Sequence, residues 1–305
     1  MKKIILYILF IISLAYFGCD KPGPTELIDD PTDSDLIEVQ IIGKDLENEE
    51  YYSSGYDTSG VTEDLLRYTS IISVSGIKLT RGSITDRISS AQAIIFDKSK
   101  PFKTPNGLTI GYNTIVPGII KFDDAIARIS NFRIRYRESG NLIDTVLGKK
   151  YELFNLNGRL IYDPFNYPYA SSINFSYNPF FGGQNSSFNI LTPQEVTGSL
   201  KVLRQNNQND FNVEVSWNSA FVDSFSIIIG GVRTLNQKVF PFYKIKTKDD
   251  GKLIISSSLL KNIPRDRFDK ITISLVRKFD KLTSLQNSDL YVVSQSIHTI
   301  ILDIP

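Results

Sequence analysis

The sequence predicts an all-β protein, with two antiparallel β-sandwich-like domains that follow a cleaved signal peptide and a disordered tether. Three observations lead there. Residue usage favours strands, with 15 Tyr and 19 Phe against one Trp and one Met; aromatic and β-branched side chains suit a pleated, half-buried surface. Short apolar-rich runs recur between clusters of turn residues, as in a sandwich or barrel. One run, Phe211 to Trp217, alternates apolar and polar residues at the period of two that a half-buried strand requires.

The N-terminus reads as an export signal. Lys2 and Lys3 precede an almost wholly apolar run from Ile4 to Phe17, interrupted by Ser13. A run of about 14 residues is too short to span a bilayer as a helix but fits a signal core. Gly18 and Cys19 follow, and Cys19 is the only cysteine in the chain. An unpaired thiol on an exported protein calls for a chemical use. The four residues Tyr16-Phe17-Gly18-Cys19 resemble the lipobox of bacterial lipoproteins, in the relaxed form found in the Bacteroidota. That resemblance covers the first 19 residues. It implies cleavage after residue 18, lipid on Cys19 and attachment to an envelope membrane outside the cytoplasm, with the outer membrane favoured. Several acyl chains make such an anchor stable where one does not.

Residues 19–36 read as the tether. Pro22, Pro24 and Pro31 stand among Asp20, Glu26, Asp29, Asp30, Asp33 and Asp35. Such a stretch buries little and repels itself, so it extends. A calcium loop is disfavoured because Asp29 to Asp35 has neither the glycine nor the distant glutamate of an EF-hand. Removing residues 1–18 takes the net charge from +1 to −1. No global field therefore draws the chain to nucleic acid.

An N-terminal sandwich-like domain is expected over 37–194. Its strand-like runs include Ile71 to Thr80, Ala91 to Asp97, Leu108 to Tyr112, Asn131 to Tyr136, Tyr151 to Leu156 and Ile173 to Tyr177, with turn residues such as Asn157-Gly158 and Gly182-Gly183 between them. Short helical turns are expected near Thr62 to Arg67 and Asp123 to Arg128. A C-terminal sandwich is expected over 195–305, with strands at Phe211 to Trp217, Phe225 to Ile229, Phe240 to Lys246, Lys252 to Ser256, Ile271 to Arg277 and Ile297 to Leu302. Val213-Glu-Val-Ser-Trp217 followed by Phe225-Ser-Ile227-Ile-Ile229 resembles the second and third strands of fibronectin type III and immunoglobulin-like domains. This resemblance implies a fold and no activity.

Candidate sites are few. His298 is the only histidine, so Ser-His-Asp, Cys-His and His-rich zinc sets cannot be assembled within one chain; a strand histidine with satisfied bonds is the plainer reading. No phosphate-binding glycine loop is present, and no cofactor or metal is implied. Arg133, Arg135 and Arg137 alternate with Phe132, Ile134 and Tyr136, and a row of guanidinium forks can bind phosphate or an acidic glycan. A solvated face with acidic neighbours explains the same pattern. The densest aromatic stretch, Tyr151 to Phe181, offers Tyr162, Phe165, Tyr167 and Tyr169 as a ligand-binding surface, against a plainer role in packing. The expected function is non-catalytic: a lipid-anchored envelope protein that binds a partner protein or an envelope glycan. The alternative is a glycan hydrolase built on two carboxylates, which need no fixed sequence spacing.

Overall fold

The computed structural model describes residues 38–41 and 70–304, apart from 106, 108, 139–140, 157–162, 205–210, 223, 235–238 and 287. The signal, the tether with Cys19, Asn157-Gly158 and the expected turn at 62–67 lie outside the described residues. The strands are β1 (Glu38–Ile41), β2 (Ser70–Arg81), β3 (Ile84–Lys103), β4 (Thr109–Ile115), β5 (Gly118–Phe122), β6 (Ala125–Ile126), β7 (Arg128–Glu138), β8 (Asn141–Leu156) and β9 (Ser172–Pro179). They continue as β10 (Ser186–Leu191), β11 (Gly198–Arg204), β12 (Phe211–Trp217), β13 (Phe225–Arg233), β14 (Val239–Thr247), β15 (Lys252–Ile255), β16 (Phe268–Leu285) and β17 (Ser288–Asp303). A single helical turn, α1 (Ser257–Leu260), is capped by the Ser256 hydroxyl. The protein is all-β, as expected.

Ten strands form one large sheet in the order β1-β14-β13-β16-β17-β2-β3-β8-β7, with β4 added to β3. Its neighbours pair antiparallel except β17 and β2, which run parallel from Leu290 opposite Ser70 to Ile301 opposite Arg81. The sequence reading foresaw antiparallel pairing alone. A hairpin forces antiparallel neighbours, but β2 and β17 come from opposite ends of the chain and carry no such constraint.

Two smaller sheets cover one face of the large one. Strands β11-β12-β15 enclose a core of Val213, Val215, Trp217, Ile227, Ile245, Ile273 and Leu275. Strands β10-β9-β5-β6 enclose a second core of Ile72, Val74, Ala91, Phe122, Leu153, Ile173, Phe175 and Leu290. Each buried Val, Leu, Ile or Phe among them stabilises the fold by about 1.5–3 kcal/mol relative to exposure. The long strand β16 serves both cores, because Ile271, Ile273 and Leu275 enter the first and Leu285 the second. The expected division at residues 194 and 195 therefore corresponds to a change of covering layer, while the sheet beneath runs on unbroken.

Local chemistry explains the elements. Strand β12 buries Phe211, Val213, Val215 and Trp217 and leaves the residues between them half-exposed. The Trp217 ring stacks on Phe225 at 4.7 Å with an 18° tilt. Residues 123–128, expected as a helical turn, instead close the β5–β6 hairpin and begin β7. Asp123 takes a left-handed φ of 50°, and its carboxylate accepts the Asn174 N–H at 2.8 Å. That bond ties the turn to β9 and satisfies one of its N–H groups.

At the base of the first core lies a fully buried ion pair. Arg277 Nε donates to Asp249 Oδ2 at 2.7 Å and Nη2 to Oδ1 at 3.0 Å, with neither side chain exposed. Trp217 Nε1 donates to Asp249 Oδ1 at 2.8 Å and the Ala220 N–H to Oδ2 at 3.2 Å. Arg277 also donates to the carbonyls of Glu195 and Asn218. Removing one partner of such a pair leaves an uncompensated charge inside. Asp249→Ala is expected to lower unfolding free energy by about 3–5 kcal/mol in urea titration, while Lys252→Ala, which breaks a surface pair with Glu214, stays close to the parent. Equal effects from the two substitutions would show that the buried pair has no special weight.

Candidate functional site

The aromatic segment is mostly packing. Phe165 and Tyr167 are buried in the second core, with Tyr169 half-buried against it. The Tyr167 N–H donates to Ser89 Oγ at 3.0 Å, and its hydroxyl shares a 2.7 Å bond with Ser294 Oγ. Its burial pushes the phenol pKa upward. Both rings, Tyr167 and Tyr169, lie directly on Gly76, where a Cβ would collide with them. Phe165 and Tyr167, two of the residues offered as a ligand-binding surface against a plainer role in packing, are thus enclosed, and rings that close a core have no face left for a sugar. Tyr162 lies outside the described residues, as does Cys19.

The arginine row sits on β7, an edge strand of the large sheet. Arg133 is exposed and lies 3.8 Å from Asp144 on the neighbouring strand. Arg135 stands opposite Asp144 and Arg137 opposite Leu142 in the β7–β8 register. Phe132 is buried and Ile134 packs beside it, in a cluster on the sheet face away from the two cores.

A cluster of residues that was not singled out in the sequence lines a groove at the end of β14. It is a groove of about 690 Å³, lined by Lys244, Lys246, Lys248, Lys278, Ser226 and Val276, with Phe221 at its rim. The pattern was legible. Lys244, Lys246 and Lys248 alternate with Ile245 and Thr247, so strand geometry puts the three lysines on one face. Ile245 points into the first core, which sends Lys244 and Lys246 to the opposite face, where Lys244 is itself buried. In register, Lys246 stands opposite Ser226, and Ser226 opposite Val276. Lys278 extends from β16 toward Asp280 at 3.3 Å and the Tyr291 hydroxyl at 3.5 Å. Glu38 faces Lys246 across the β1–β14 register. Phe221 is 81% exposed, yet its backbone is held at a φ of 53° by an N–H bond to the Asp249 carbonyl at 3.2 Å.

His298 is buried on the sheet face that meets the covering layers. Its Nδ1 accepts the Gly198 N–H at 2.8 Å, which leaves the proton on Nε2, 3.0 Å from Thr80 Oγ1. Burial, then the charges of Lys78 and Arg87, push its pKa from 6.5 down to about 4. Among the described residues no group of three or more His, Cys, Asp or Glu is placed to hold a metal, and no helix is long and apolar enough to cross a membrane.

The sign of the pH effect follows. A folded-state pKa below the unfolded one means that the unfolded chain binds the proton more readily. The neutral imidazole's contribution is complete above pH 6.5 and is lost as pH falls toward 4. Unfolding titrations between these limits are expected to show the parent losing stability relative to its value near neutrality, with a shallower slope in His298→Gln. Identical slopes would rule His298 out as the titrating group.

No protein-family model matches the chain, and no curated protein sequence matches it.

Proposed function

We propose that the protein is a lipid-anchored component of a bacterial cell envelope, held through Cys19 in the outer membrane, with a non-catalytic binding or structural role. The observation that carries the reading is the sequence Tyr16-Phe17-Gly18-Cys19 after a charged and then apolar N-terminus, with Cys19 the only cysteine. On this reading the thiol is consumed as a thioether, and residues 19–36 hold the body away from the membrane. The body then presents two sandwiches on one continuous sheet. The strand set β11-β12-β15 over β14-β13-β16-β17, with Trp217 stacked on the first residue of β13, supports a fibronectin type III-like reading of the C-terminal part.

The binding role is supported by how the chain's reactive groups are used. His298 is neutral and bonded on both ring nitrogens. Asp249 is enclosed by Arg277 and Trp217, so it presents no carboxylate to the groove beside it. Side chains committed to structure do not act as acid, base or nucleophile.

Mass spectrometry of the protein taken from membranes, beside Cys19→Ala, tests the anchor. The expected N-terminal peptide begins at Cys19 and carries acyl mass, and the substitution abolishes both that mass and membrane association. An unmodified Cys19, or an N-terminus elsewhere, would overturn the assignment.

A further inference from the structure

We infer that the Phe180-Phe181 turn between β9 and β10 is a second membrane contact, seated in the surface of the bilayer to which the N-terminus is attached. The inference rests on the anchored reading proposed above and adds to it an orientation for the body. Its first support is the turn itself. Phe181 is 95% exposed and Phe180 is 50% exposed, and Ile119 is exposed on the adjoining strand β5. Large apolar rings held in water at one point are unfavourable, and a bilayer surface removes that cost. The turn holds them there. The Phe180 N–H donates to the Pro117 carbonyl at 3.0 Å. Gly182 and Gly183 take φ of 58° and 92°, which glycine adopts without strain. A Cβ on Gly183 would meet the Gln286 side chain, so this turn packs beside the one that joins β16 to β17.

The second support is charge. No Asp, Glu, Lys or Arg occurs from Pro164 to Gln194, in a chain of which 22% is charged. Strands β9 and β10 and the turn between them therefore bring no ion that must be stripped of water when they meet lipid. Beside the β16–β17 turn, Lys98 and Asp289 pair with one another at 3.5 Å. The contact is apolar in kind and suits a zwitterionic bilayer. A stable protein partner needs about 800 Å² on each side. Two rings of about 150–250 Å² each, one of them half covered, supply less than half of that.

The third support is direction. Each of the pairs β1–β14, β14–β13, β13–β16 and β16–β17 is antiparallel, so β1 and β17 run the same way. The N-terminal end of β1 thus points to the end of the sheet where β16 turns into β17, and the Phe180-Phe181 turn sits at that end. Through the registers, Glu38 stands level with Ile297. From there to Ser288 is about 30 Å along β17, at about 3.3 Å per residue. Residues 19–36 can span about 60 Å when extended, so a membrane that holds Cys19 lies within reach of the turn.

Fluorescence of the full chain in phosphatidylcholine vesicles, with and without bromine on the acyl chains, tests this. The native indole, Trp217, is buried in the first core, so Phe181→Trp adds a probe at the turn alone. Ile84→Trp is the control. Ile84 is exposed just after the C-terminal end of β2, and β2 runs parallel to β17, so it stands at the opposite end of the sheet. The emission that Phe181→Trp adds is expected to shift to the blue and to fall about twofold or more in brominated vesicles, while that of Ile84→Trp does neither. The fall should persist from about 50 to about 300 mM salt, because no ion pair makes the contact. Equal emission in the two kinds of vesicle would overturn the assignment. A blue shift without quenching, the mark of a turn covered by protein, would do so too, as would quenching that Ile84→Trp shares. Acyl mass on Cys19 is read on the same samples. Acyl mass without quenching keeps the anchor and removes the membrane contact, and quenching without acyl mass does the reverse, so the two failures are told apart.

Discussion

The buried pair of Arg277 and Asp249 ties together parts of the chain that no hairpin connects. Arg277 belongs to the large sheet, Asp249 to the turn after β14, Trp217 to the end of β12, and Glu195 to the segment between the two covering sheets. Burying two charges costs several kcal/mol per ion before their attraction is counted. The cost is offset here because both carboxylate oxygens and the guanidinium are bonded on several sides. An apolar replacement of the same volume would leave the Trp217 and Ala220 N–H groups and the facing carbonyls without partners, and unmade bonds inside are expensive. The pair thus selects one geometry for the junction, where an oily core would tolerate several.

The same logic extends along the seam between the two cores. Strand β17 faces the second core with Leu290 and Val292, then turns polar through Ser294, Ser296 and His298. Those three groups meet Tyr167, the Val196 N–H and the Gly198 N–H. Segment 192–198 crosses the sheet there, and its backbone donors need acceptors that an apolar strand face would not supply. A polar stripe in the middle of a buried strand is thereby explained by the chain that lies over it. Arg87 adds a 2.6 Å bridge to Glu195. The two cores are linked by this seam and by the long strand β16, which serves both.

Asp249 links the interior to the surface. Its carboxylate serves the interior, while its carbonyl fixes the Phe221 backbone at the groove rim. Tyr243 and Ile245 are held in the first core, which turns Lys244 and Lys246 to the opposite face of the sheet. Apolar burial on one face of β14 and charge on the other are two consequences of one period.

Much of this was written in local sequence. Strand period placed Val213, Val215 and Trp217 inside, and turn residues separated the strands. These features depend on neighbours two to four residues apart, which is the range over which backbone geometry acts. Lys244, Lys246 and Lys248 were legible on the same terms. The tertiary structure alone decided the rest. It paired β17 with β2 in parallel, joined both halves in one sheet, brought Arg277 to Asp249 and turned Phe165 and Tyr167 from surface candidates into core. Those outcomes depend on which distant strands become neighbours, and a strand's own residues state which face is apolar without naming the strand that will lie beside it.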